Sequence, residues 1–172
     1  MRKVLLGAVL MLVILLLSAL MVMRLGLMPV SADGNHSRLE ARVMPLVLHA
    51  AIARHAAGET NPVLLSEDNL KSGVATYKAM CVRCHSTPQG NPSVYGQSFY
   101  PPAPQLLGGM SNYTDSQLFW TIKHGIRNTG MPAWGSMLSD DDIWQIVSLL
   151  KTQDLPPSVE SEWQAPRNRT AP

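Results

Sequence analysis

The amino-acid sequence predicts an all-α protein, with one membrane-spanning helix and a linker helix ahead of a small helical domain. Three observations carry this. Val4 to Met23 is an unbroken uncharged stretch. Beyond it, apolar residues recur at steps of three and four behind capping residues, which is helical rather than strand periodicity. The only two cysteines fall in Met80-Cys81-Val82-Arg83-Cys84-His85, spaced to share one face of a helical turn. At 172 residues there is room for one ordinary domain and accessories.

The totals narrow the function classes. A net charge of +2 is too small to argue for nucleic acid. Two Phe, four Tyr and four Trp leave a small domain short of core bulk. At about 1.5 Å per residue, Val4 to Met23 is long enough for a hydrocarbon core of roughly 30 Å. Arg2 and Lys3 precede it and Arg24 follows. This bias predicts a cytoplasmic segment 1–3, a membrane anchor 4–23 and export of everything after it. A cleaved signal peptide ending near Val30-Ser31-Ala32 is the competing reading, although the apolar run is long for a signal core.

Residues 24–65 are expected to form a tether, with Pro29, Gly34 and Asn35, and then an amphipathic linker helix. The helical stripe is Leu39, Val43, Leu46, Ala50, Ala53 and Ala57, with Arg38, Arg42, His49, Arg54 and His55 mostly on other faces. Pro45 suits a first turn, and Gly58 suits a C-cap. Asn61-Pro62 restarts an extended chain. Ser66 or Asp68 then caps a helix from Glu67 to Met80 whose apolar face is Leu70, Gly73, Val74 and Tyr77. Gly73 costs helix stability, about 1 kcal/mol against alanine, and implies close approach by another helix.

Cys81, Cys84 and His85 form the spacing Cys-x-x-Cys-His, which reads as attachment of a c-type haem. Each thiol can add to one haem vinyl group while the imidazole reaches the iron. A zinc site would need two further ligands at matching spacing, and the chain has no third cysteine. A thioredoxin-like pair would not need the adjacent histidine. A covalent haem would also supply the missing apolar bulk.

Residues 86–113 form a long irregular stretch with five prolines and with Gly90, Gly96, Gly108 and Gly109. A loop of that length marks either function or a wrong assignment. Here it is expected to wall the histidine side of the ring, with the Pro104 carbonyl holding His85 and Leu106 packing on the haem. Thr114 and Gln117 make a capping box for Asp115 to His124, whose stripe is Leu118, Phe119 and Ile122. Gly130-Met131-Pro132 lies well downstream, where it can fold over the opposite haem face. Among ten methionines, Met131 alone has a stiff Gly/Pro frame, and it is preferred over Met110 and Met137 as the second iron ligand. The Trp134 indole N–H suits a haem propionate or ordinary core packing equally. Ser139 caps a last helix with Ile143, Trp144, Ile146, Val147 and Leu150 inward, and Trp144 or Val147 is expected to fill the space at Gly73. These elements make a domain 66–152, and residues 153–172 are expected to be a disordered tail. Glycosylation-type triplets at Asn35, Asn112 and Asn168 are at chance level.

The order helix, Cys-x-x-Cys-His, proline loop, helix, Gly-Met-Pro and final helix resembles class I mono-haem cytochrome c over residues 66–152. Ala53-Arg54-His55-Ala56 and Asn61-Pro62-Val63 are similar to the stretch before the motif in membrane-anchored bacterial types. The resemblance implies an all-α fold around one haem c, with Cys81, Cys84, His85 and Met131 as its functional residues. It implies an electron carrier on the bacterial inner membrane, facing the periplasm and serving a dehydrogenase or terminal oxidase. A haem c subunit of a larger complex and an open-site haem sensor are the alternatives. The long anchor and linker depart from the freely diffusing members and leave the partner open.

Overall fold

The computed structural model describes residues 1–33, 37–56, 58–107 and 112–165, and these are helical with no strand among them. Gly34, Asn35, Ala57, Gly108, Gly109, Met110 and Asn168 lie outside the described residues. The chain divides into two units, Met1–Arg38 and Leu39–Pro172. The first is built on α1, Arg2–Arg24, which is long and apolar enough to cross a membrane.

All but the first residue of α2, Arg38–His55, belongs to the second unit, and the helix runs through Pro45 rather than starting there. Pro45 and Ala41 are both exposed, so water can satisfy the carbonyl that the proline leaves unpaired. The stripe read from the sequence is not the buried one. Leu39, Val43, Leu46, Ala50 and Ala53 are exposed, whereas Ile52 and Ala56 are buried and Leu48 half-buried. Both sets recur with helical spacing, and periodicity cannot say which of two apolar sides meets the core. The linker helix is therefore part of the compact domain, which starts well before residue 66.

Ser66 caps α3, Glu67–Met80, by accepting from the Asn69 N–H at 3.3 Å. Helix α3 packs chiefly on α7, Asp140–Lys151, as Gly73 implied, but against different atoms. A Cβ on Gly73 would sit 2.6 Å from the Gln145 carbonyl oxygen and 3.4 Å from Leu149 Cβ. The glycine thus lets two backbones meet. Trp144 instead stacks on Phe119 of α6, Asp115–His124, with ring centroids 4.0 Å apart. Capping boxes open α6 (Thr114 with Gln117) and α7 (Ser139 with Asp142). Val74, Tyr77, Ile143, Val147 and Leu149 are completely buried where these helices meet.

Two short helices complete the domain. Val82–His85 (α4) follows α3 directly, and Val94–Gln97 (α5) interrupts the proline-rich loop. The expected disordered tail is ordered over residues 153–165: α8, Pro157–Glu160, and a 3-10 turn, Ser161–Trp163, lie along α3. Val159 is completely buried, Trp163 meets Tyr77 edge-on at 5.7 Å, and the Lys78 ammonium donates to the Glu162 and Ala165 carbonyls. The segment has no periodicity of its own, yet a valine and a tryptophan suffice to seal an apolar surface already made by α3.

Candidate functional site

One apolar cavity of about 300 Å³ lies inside the second unit. Cys81, Cys84, His85, Pro104, Leu106, Met131 and Trp134 all line it. Cys81 ends α3, and Cys84 and His85 occupy the single turn of α4, so an abrupt change of helix presents two sulfurs and an imidazole together. Neither cysteine is in a disulfide, so both sulfurs are available to form thioethers. As a thiol, before any thioether forms, Cys81 is pushed up to about 12 by burial, the neighbouring Cys84 adding to it.

His85 is oriented by the loop. Its Nδ1 lies 2.7 Å from the Pro104 carbonyl oxygen. A carbonyl only accepts, so Nδ1 carries the hydrogen and Nε2 keeps its lone pair. Burial lowers the imidazole pKa, and the bond to Pro104 opposes that only in part. The neutral form, the one able to ligate a metal, is favoured.

Met131 reaches the same cavity from a tied turn. The Ile126 N–H donates to the Met131 carbonyl at 3.2 Å, and the Met131 N–H donates to Thr129 Oγ1 at 3.1 Å. A Cβ on Gly130 would lie 2.7 Å from the Phe99 ring, so bulk is excluded where this turn meets the proline loop. Met137 is exposed and away from the cavity, whereas Met80 lines it beside Cys81. His49, His55 and His124 do not line it. His49 Nε2 pairs with the Tyr113 hydroxyl at 2.8 Å, and His55 stacks on Trp120.

Sequence reasoning missed several walls of the cavity. Leu48 and Ile52 of α2 line it, as do Phe99, Tyr113 and Thr129. The signal for the first two was the spacing Leu48, Ile52, Ala56, which competes with the outward stripe. Asn61 was also missed as a tie: its amide donates to Ser148 Oγ at 2.8 Å, pinning the chain before α3 to α7.

Two thiols, a neutral imidazole and a thioether around an otherwise apolar cleft are the donor chemistry of a covalent haem, and they fit it. With the all-α frame they are the donor set of a mono-haem cytochrome c domain of class I, the class that holds one covalently bound haem c and serves electron transfer. More particularly, residues 68–150 match the family model described as cytochrome C oxidase, cbb3-type, subunit III. No curated protein and no solved structure matches the chain.

Proposed function

We propose that the protein is a membrane-tethered electron carrier of the bacterial inner membrane, its haem domain facing the periplasm. Cys81 and Cys84 would hold the haem through sulfur, and His85 and Met131 would offer its iron an imidazole nitrogen and a thioether. The Pro104 carbonyl orients His85, Leu106 packs on the ring, and the Trp134 indole N–H would serve a haem propionate. When bound, the haem would supply a one-electron ferric/ferrous couple, and imidazole with thioether ligation would raise its potential. With His85 and Met131 both given to the iron, no site would remain there for a substrate, which favours a carrier over an enzyme. Residues 4–23 of α1, retained as an anchor with Arg2 and Lys3 on the cytoplasmic side, keep the domain near membrane partners and raise their effective concentration.

The observation that carries this reading is the convergence of Cys81, Cys84, His85 and Met131 on one cavity, with His85 already turned by Pro104. Visible spectra of the oxidised holoprotein test it. Met131→Ala is expected to lose the methionine–iron charge-transfer band and to bind carbon monoxide in the ferrous state, while Met80→Ala keeps the band. An unchanged Met131→Ala spectrum rejects the assignment. Rapid carbon monoxide binding by the parent protein would favour an open-site sensor.

The description of the matching family favours a second reading, a haem c subunit of a terminal oxidase. Stable co-purification with an oxidase in mild detergent supports that arrangement. Recovery of the protein alone supports a shuttle.

A further inference from the structure

Helix α2 has two apolar sides, and the domain uses only one. Leu48, Ile52 and Ala56 turn inward, Ile52 at 2% exposure. Leu39, Val43, Leu46, Val47 and Ala50 turn away from the domain, with Leu39 and Leu46 each about 70% exposed. A sustained outward stripe of this kind is costly in water and marks a contact with something apolar.

Three features indicate what covers it. The stripe starts one residue after Arg38 and is joined to the apolar helix by residues 25–37 alone, a linker that reaches at most about 45 Å fully extended. Arg38, Arg42 and Arg54 lie on α2 against the single acid Glu40, so the helix is basic. Such a mixture of apolar and basic side chains suits the boundary between anionic headgroups and acyl chains. The opposite side of the same helix closes the haem cavity through Leu48 and Ile52.

We propose that the outward face of α2 rests in the interface of the membrane to which the chain is anchored, with its arginines among anionic headgroups. The helix then acts as a mounting plate that holds the haem cavity on the side away from the lipid. A second copy of the chain and a protein partner are the competing occupants. This inference rests on the retained anchor of the proposed function.

The test uses the full-length holoprotein in vesicles of phosphatidylcholine with about one-third phosphatidylglycerol, at no more than one copy per vesicle. With Cys81 and Cys84 consumed by haem, Val43→Cys and Leu46→Cys each offer one free thiol, and Val94→Cys (88% exposed at its parent residue) is the solvent reference. A charged maleimide is expected to react with the first two at least tenfold more slowly than with the reference. Adding Arg38→Gln and Arg42→Gln should restore most of that rate. Equal rates at all three sites, in protein that still floats with the vesicles, overturn the proposal and leave the anchor standing. Loss of flotation overturns both. Protection that appears only at many copies per vesicle, or only with an added membrane extract, assigns the face to a second copy or to a protein and overturns the lipid assignment.

Discussion

Tyr77 lies between the haem side of α3 and the C-terminal segment, completely buried, and its hydroxyl has no hydrogen-bond partner among the described residues. Burial raises its pKa well above the ordinary phenol range, so it remains neutral. An unsatisfied buried hydroxyl costs about 1–3 kcal/mol. Tyr77→Phe keeps the ring that meets Trp163 and removes the orphaned oxygen. It is expected to leave stability unchanged or raise it by about 1 kcal/mol, measured by denaturant unfolding of the holoprotein. A loss of more than about 1 kcal/mol would mean that the hydroxyl has a partner beyond the described residues. His85 shows the opposite economy at the same scale, since one backbone carbonyl sets its tautomer and direction at once. The exposed Lys123–Asp140 pair at 2.7 Å is of the kind that contributes little.

At the scale of elements, the C-terminal segment changes the picture of the core. Leu155, Val159 and Trp163 join the cluster formed by α3, α6 and α7. Full burial of a valine contributes about 1.5–2 kcal/mol, and in a domain of this size each kcal/mol moves the melting temperature by about 4–8 °C. Deleting residues 153–172 is expected to lower the melting temperature of the holoprotein by at least about 5 °C while its haem spectrum stays the same. An unchanged melting temperature would show that the segment adds nothing to the core. The proline loop works differently. Its only regular element among the described residues is the four-residue α5, and its role is to carry the Pro104 carbonyl and the Leu106 side chain to the cavity.

For the whole molecule, the cavity proposed to hold the haem is assembled from three parts of the chain: the α3–α4 junction, the segment from Phe99 to Trp134, and α2. The participation of α2 couples whatever holds that helix to the environment of the iron. Ile52→Asn is expected to lower the reduction potential, because a polar group and added water favour the more charged ferric state. Potentiometric titration reads this directly, and an unchanged potential would place α2 outside the electrostatic surroundings of the haem. Gly73 makes the same point for the helices, since its partner is the backbone of Gln145, more than seventy residues away.

Much of this was already determined by the sequence. The uncharged run, the caps at Ser66, Thr114 and Ser139, the attachment run at Cys81 to His85 and the Gly-Met-Pro frame are all local, written within a few neighbouring residues. Only the tertiary structure decided that Leu48 and Ile52 rather than Leu39 and Leu46 face inward, that Val159 and Trp163 seal α3, and that Gly73 admits Gln145 rather than Trp144. Burial depends on the surface an element meets, and a periodic pattern carries no information about that surface.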